Sequence, residues 1–558
     1  MKKYAVCALC FLFFILHIFL GFSFINSCAP TYDEPVHLAS GFSYLKTEKF
    51  RMNINDHPPL AEMIAALPLL FKKISVFSGH PDFVSGRLYN YADLFLYKNT
   101  TDAENMMNSS RKFIFIICGF VLFGFMAWCS YAAGGVGAVC ACSFFSALNP
   151  ALLSNDALVT TDALPAILYF CTFVLLYQAF RQPDKTKRML FFGLTGIATG
   201  LAMAGKFNMF VLPFFVTGLA IWENRRTKAV KTGNMLRLLM LYAACAFLSL
   251  AFVYKFSQIG LYWDGLYATL NRLDQGRSSF AYGNYSIQGV WWYFPLALLI
   301  KTPLSLLILP VFWLWSLRFP KSRNGMLFFI IPPAVYFLLV LTAKVQIGYR
   351  HILPVMPFII LMSGLAVSEI FKKGKMARIS AVVLMLWYAG SVLRAHPYYL
   401  SYFNEITSGP AGGYKALTDS NLDWGQSVKQ LAHYLKKQGN PAIYFSYFGS
   451  ADPAYYGMKY ILLAEVANVE MKGTGDDPSS EKKLYVAVSA TNLQSTYYPE
   501  KDVFRLFKTL TPEFVAGYSI FLYNITDNKE AVRRTAEILN RTGMNEEALK
   551  LYARIGEK

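Results

Sequence analysis

Thr31-Tyr32-Asp33-Glu34-Pro35-Val36-His37 opens a polar stretch, Asn26 to Arg111, that separates the first two apolar segments of the chain. The stretch continues through Asn55-Asp56-His57-Pro58-Pro59-Leu60. Ahead of it, Lys2 and Lys3 lead into an apolar run from Tyr4 to Ile25, long enough to cross a bilayer. An acidic pair just past the end of a span calls for a reason, because charge beside hydrocarbon is costly and usually marks function. The stretch is therefore the expected floor of a site facing away from the cytoplasm. Ser27-Cys28-Ala29 also offers small residues for signal-peptide cleavage, but the apolar run is long for that. Either way, the loop that follows is expected to be exported.

Outward from this loop the chain is greasy. Of 558 residues, 55% are apolar and only 16% charged, with a mean hydropathy of +0.34. That excludes an ordinary soluble enzyme and places the chain among polytopic membrane proteins. Further apolar segments run over 113–131, 136–153, 163–180, 189–205, 207–222, 237–256, 291–317, 326–343, 350–370 and 379–395. With the first, they make about eleven expected transmembrane helices. The net charge of +19 is gathered in short runs between them, namely Arg181 to Arg188, Arg225 to Lys228, Arg318 to Arg323 and Lys372 to Arg378. All four fall on the side of the N-terminus, so the positive charge marks cytoplasmic loops and not a nucleic-acid partner. Eight of the nine cysteines lie within apolar segments, which indicates neither a disulfide framework nor a zinc cluster.

An odd number of spans puts everything after His396 on the outer side. Residues 1–395 are the expected membrane domain, with 26–111 its first outer loop. Residues 396–527 form an expected small exported α/β domain, with strands at Ala442–Tyr447, Lys483–Val488 and Ser519–Tyr523 and a helix at Ser427–Lys437. Residues 528–558 form a helical hairpin turning at Gly543 that loosely resembles one tetratricopeptide unit. A lone unit cannot build a solenoid, so it is expected to pack on the domain before it.

This topology gathers polar residues on one face. The first loop supplies Asp33, Glu34, His37, Asp56 and His57, and the second supplies Asn155, Asp156 and Asp162. Lys206, Lys301, Lys344, Arg350 and His351 bring cations from three other places. Such a set suits transfer of a group from a phosphate-linked lipid. A polyprenyl phosphate leaves without an acid if Arg or Lys holds its developing charge. One carboxylate then serves as base for the acceptor hydroxyl, and attack on the far face gives inversion. Each residue also has a plainer role: Asp56 as the N-cap of a helix running to about Ile74, Asp156 or Asp162 as caps, Lys301 snorkelling outward, Arg350 an interface anchor. Glu34 and His37 have the one-turn spacing of a metal pair, so a divalent metal is a possible cofactor, with no third ligand in view.

Asp33-Glu34, Asp56-His57-Pro58-Pro59-Leu60, Val159-Thr160-Thr161-Asp162 and Ile347-Gly348-Tyr349-Arg350-His351-Ile352-Leu353-Pro354 together resemble the glycosyltransferase family 39 group. Gly289 to Phe294, Lys301-Thr302-Pro303 and Asp419-Ser420-Asn421-Leu422-Asp423-Trp424-Gly425-Gln426 look like bacterial members. The group includes protein O-mannosyltransferases and lipid A aminoarabinose transferases and has the GT-C fold. The resemblance covers most of residues 1–440. It implies a mainly α GT-C membrane protein in a bacterial inner membrane, using a polyprenyl-phosphate sugar donor, with Asp33 as base and Glu34 beside it. Asp162 stands next in line, with Arg350, Lys206, Lys301 and His351 on the donor phosphate and Asp56, His57 and Asp156 toward sugar or acceptor. Two departures leave lipid, glycan and protein acceptors all open. The 257–290 loop is too short for the β-trefoil of the eukaryotic mannosyltransferases, and Asp56-His57 replaces the Glu-Lys pair usual in the aminoarabinose enzymes. The rival classes are a transporter or flippase, against which the polar set stands at one face and not at the midplane, and a membrane scaffold.

Overall fold

The computed structural model describes residues 2–316, 326–463 and 473–557. The basic run Arg318 to Arg323 lies outside the described residues. The chain is mainly helical, an integral membrane protein with a small sheet toward its C-terminus. Among the described residues, seven helices are long and apolar enough to cross a membrane, and one bent pair would make an eighth. Each of the eleven apolar segments is nonetheless helical, and the lower number has physical causes. Leu212–Thr227 and Leu327–Val340 are too short to pass alone, with 16 and 14 residues.

The other cause lies in Ala103–Ala147, which holds two of the expected segments in one 45-residue helix. It folds back at Gly135, where φ is 71° and ψ −160°, a conformation open to glycine and strained for other residues. The reversal shows in the contacts of His17 on the first helix, Lys2–Ser27. Its ring stacks 4.5 Å from Phe115 while its Nδ1 lies 3.3 Å from the Ala147 carbonyl. A straight helix would part those two residues by about 48 Å.

The bent pair is Tyr293–Lys301 and Leu304–Ser316, which meet at 107°. Pro303 enforces the break, holding Thr302 extended at ψ 136° and carrying no N–H of its own. Near Asp56 the sequence expectation fails. The helix begins at Leu60 with Pro59 at its cap, ends at Ala66 and tightens into a 3₁₀ turn over Leu67–Phe71. Asp56 is drawn instead to Arg272.

The first helix and the last apolar one, Lys375–Leu393, end at the same face of the bundle, where Ser23 Oγ and His396 Nε2 are 3.2 Å apart. Beyond them a five-stranded sheet has the order β4-β3-β5-β7-β6, with β3 Ile443–Ser446, β4 Tyr460–Leu462, β5 Tyr485–Ser489, β6 Phe514–Ala516 and β7 Ile520–Asn524. β3 runs parallel to β4 and β5, while β7 runs antiparallel to β5 and β6. A separate ribbon pairs β1 Ser279–Ala281 with β2 Asn284–Ser286. Alternation sorts the larger sheet's side chains. Phe445, Ala487 and Leu522 pack with Leu431 and Leu435 of the Val428–Lys437 helix, and Val486, Val488 and Tyr523 join the main core. The terminal helices Lys529–Arg541 and Asn545–Arg554 pack onto this region through Ala531, Val532 and Leu551. Arg554 Nη1 donates to the carbonyls of Ser479 and Glu481 at 2.7 and 2.9 Å.

The sheet region is stitched to the first loop. Ala29 N donates to the Gln426 carbonyl at 2.9 Å and Tyr32 N to the Trp424 carbonyl at 2.8 Å. Ser450 Oγ donates to the Tyr32 carbonyl at 2.7 Å, and Lys429 pairs with Glu104. The backbone of Tyr32, next to Asp33, is therefore held at both its N–H and its carbonyl.

Candidate active site

Arg350 lies in the Tyr349–Val355 turn that enters the Met356–Phe371 helix, and Asp162 stands just before Ala163–Arg181. Arg350 Nη1 lies 3.3 Å from Asp162 Oδ2 and its Nη2 3.5 Å from Asp33 Oδ2. Its guanidinium carbon is 4.1 Å from the centre of the Trp424 ring. Lys206, from the turn between two helices, pairs with Asp162. Burial alone would push the Asp162 carboxyl up, but Lys206, Arg350 and His351 outweigh it and hold it well below the usual carboxylate range. The two acids differ in access: the Asp162 side chain is 2% exposed and that of Asp33 28%. His351 lies next along the turn, its Nε2 buried without a hydrogen-bond partner among the described residues.

Glu34 departs from its expected place. It is wholly buried and paired with Arg111, near the start of the Ala103–Ala147 helix. Its Oε1 accepts from Arg111 Nε at 2.8 Å and Val159 N at 2.9 Å, and its Oε2 from Thr31 N, Thr31 Oγ1 and Arg111 Nη2 at 2.8, 2.9 and 2.5 Å. Burial would raise this carboxyl, yet Arg111 and the two backbone donors bring it below its ordinary value. No oxygen is left for acceptor or metal. The metal pair expected from Glu34 and His37 does not form, because His37 Nδ1 turns to Glu62 Oε1 at 2.8 Å. Among the described residues, no group of three or more His, Cys, Asp and Glu is placed to hold a metal ion.

His57 does reach the cluster. Its Nδ1 is 3.1 Å from Thr161 Oγ1, beside Asp162, and its ring meets His37 edge-on at 4.9 Å. Burial, with His37 and Lys206 nearby, holds His57 well below the usual histidine range, so it is neutral at pH 7. Asp56 stands at the edge, tied to Arg272, whose Nη2 also donates to the Asn55 carbonyl at 2.7 Å.

Two expected contacts are corrected. Lys301 does not reach toward a phosphate: its Nζ donates to the Leu400 and Asn421 carbonyls at 2.8 and 2.5 Å and lies 4.5 Å from the Phe403 ring centre. It anchors the broken helix to the segment beyond the last span. It shares with Arg350 the lining of a cavity with room for about one water molecule. Asp156 has no access to sugar or acceptor. It is fully buried, with neither carboxylate oxygen hydrogen-bonded among the described residues, and burial pushes its carboxyl well up.

Sequence reasoning missed four nearby groups. Arg272 and Arg277 belong to the 257–290 loop, where no pattern distinguished them. Tyr497 donates to Asp419 Oδ2 and carries Arg277 over its ring at 5.1 Å. Asp419 has φ +58°, a strained conformation of the kind that clusters at functional sites. Arg111 could have been found, since an arginine at the head of a greasy helix demands a buried partner.

The helical bundle, its broken span and the loops gathered at one end give the class: an integral membrane protein with the GT-C fold. Among solved structures, ArnT from Cupriavidus metallidurans bound to undecaprenyl phosphate matches with a TM-score of 0.51 and 11% identity, over 93% of this chain and 98% of that one. The apo state of the same protein matches at 0.49 and 12%, over the same shares. The Archaeoglobus fulgidus oligosaccharyltransferase in complex with zinc and sulfate matches at 0.44 and 12%, over 86% of this chain and 68% of that one. No protein-family model matches the sequence. No curated protein matches it either.

Proposed function

We propose that the chain is a membrane glycosyltransferase that moves a sugar from a polyprenyl-phosphate donor to an acceptor hydroxyl on the outer face of a bacterial inner membrane. The observation that carries this reading is Arg350, a buried guanidinium between two carboxylates of unequal access. A planar guanidinium can bind two phosphate oxygens at once, and its Nε has no hydrogen-bond partner among the described residues. Asp162, held ionised by two cations, is a poor base and a good clamp for Lys206 and Arg350. Asp33 is partly exposed and touches Arg350 only at 3.5 Å, which leaves it free to take a proton. In the transfer, the acceptor O–H proton passes to an Asp33 oxygen as the acceptor oxygen bonds to the anomeric carbon. The bond from that carbon to the phosphate oxygen breaks, and its electron pair leaves with the polyprenyl phosphate, stabilised by Arg350 and Lys206. Attack on the far face inverts the centre. That ArnT was solved with undecaprenyl phosphate supports a lipid phosphate of this kind here. The acceptor hydroxyl belongs to a lipid, a glycan or a protein.

The test uses the full chain in lipid nanodiscs with radiolabelled undecaprenyl-phosphate hexoses and pentoses. Label should move to an acceptor, and Arg350→Lys, which keeps the charge but loses the fork, should lower the rate about a hundredfold with the protein still folded. Near-normal transfer by Arg350→Lys removes this residue from the site. Movement of the lipid phosphate across the bilayer with no sugar transferred favours a flippase instead.

A further inference from the structure

We propose that Trp424 is a positioning residue for this transfer, its indole seating the Arg350 guanidinium so that the segment beyond the last membrane helix completes the cation that receives the phosphate. The inference rests on the reading of Arg350 given above. Neither ion pair fixes Arg350, because 3.3 and 3.5 Å are long beside the 2.7–2.9 Å of a tight charged hydrogen bond. The ring contact at 4.1 Å is close, and it is shielded from water, with Trp424 2% exposed. A ring holds a guanidinium by its face. It takes up none of the in-plane N–H donors and none of the charge, whereas another carboxylate would take both. The donors stay at the edge, and Nε is unpartnered among the described residues.

Trp424 is itself rigidly mounted. Its backbone N–H donates to Gln426 Oε1 at 2.8 Å and its carbonyl accepts from Tyr32 N at 2.8 Å. Gly425 has φ +89°, and a Cβ there would stand 2.7 Å from Gly449 Cα, so the turn takes glycine alone. Asp423, on the other side, accepts from Thr491 N at 2.8 Å. Tyr32 adjoins Asp33, so one short segment positions the base and the phosphate-binding cation together.

The test compares Trp424→Leu and Trp424→Phe in the full chain in nanodiscs, reading donor KM, acceptor KM, kcat, unfolding temperature and the Kd for undecaprenyl phosphate. Trp424→Leu should raise donor KM and the lipid-phosphate Kd about tenfold, with acceptor KM and unfolding temperature unchanged. Trp424→Phe should bring both back to within about threefold of wild type. In an Arg350→Gln background, Trp424→Leu should add nothing further to the Kd. The inference is overturned by an unchanged donor KM and Kd, by donor and acceptor KM rising together, by failure of phenylalanine to rescue, or by full additivity with Arg350→Gln. If Trp424→Leu does not fold, Trp424→Phe decides alone, through a rise of about twofold in donor KM against none. A wild-type protein that binds undecaprenyl phosphate but transfers no sugar counts against the transferase reading, while the Kd comparison still judges Trp424.

Discussion

Asp33 and Glu34 are neighbours in sequence, carry the same charge and face cations, yet the structure gives them opposite conditions. Glu34 is sealed and saturated, accepting once from Val159 and twice each from Thr31 and Arg111. Arg111 in turn donates to the Cys28 and Ala29 carbonyls at 3.0 and 2.9 Å, so the pair rivets the first loop to the second and to the helix behind both. Asp33 is partly exposed and lies at the looser distance of 3.5 Å from Arg350. A carboxylate whose lone pairs are all taken holds structure, whereas one with lone pairs to spare can accept a proton. Partners, and not sequence position, divide the labour within the acidic pair.

The sharpest way to break this comparison is to neutralise each acid with its near-isostere. Asp33→Asn should lower the transfer rate by about 10²–10⁴, the usual loss on removing a general base, with the unfolding temperature unchanged. Glu34→Gln should do the reverse. Taking one partner from a buried pair strands the other, at about 3–5 kcal/mol, so thermal unfolding and yield should fall while the rate per folded molecule holds. If Glu34→Gln slows the folded enzyme as much as Asp33→Asn does, the division fails.

A smaller effect sharpens the same contrast with a third acid. Burial, opposed by hydrogen bonds from Thr491, pushes the Asp423 carboxyl up to about 7. That exceeds the value of about 3.9 for an aspartate in an unfolded chain, so the folded form holds the proton more tightly. The resulting stability is complete below about pH 4 and is lost as pH rises through about 7. Unfolding temperature measured over pH 4–8 should therefore fall with rising pH, and Asp423→Asn should remove that part of the slope. An unaltered slope in the variant would place the titration elsewhere.

Much of the fold was legible because it is written locally. Each apolar segment became a helix, the run at Ala442–Tyr447 contains β3, and those at Lys483–Val488 and Ser519–Tyr523 cover all but the last residue of β5 and β7. The short strands β4 and β6 carry three residues each, too few for a period to declare itself. The candidate site was legible in composition and less so in pairing. Asp33, Asp162, Lys206, Arg350 and His57 do converge. Glu34 was misplaced because its partner stands 77 residues away, and Lys301 because its carbonyl partners come from 99 and 120 residues on. No local pattern encodes an ion pair across such a span, or a ring from residue 424 beneath an arginine at 350.

The backbone bonds joining Ala29 and Tyr32 to Gln426 and Trp424 also set an order of assembly. The ribosome makes the two halves of this seam far apart in time. At about 5–20 residues per second, the loop bearing Asp33 waits roughly 20–80 s before the segment that clasps it has been synthesised. Throughout insertion of the membrane helices, the acid and the arginine lack their common mount. The nascent chain thus carries Asp33 and Arg350 without that mount until about three quarters of the polypeptide has been synthesised.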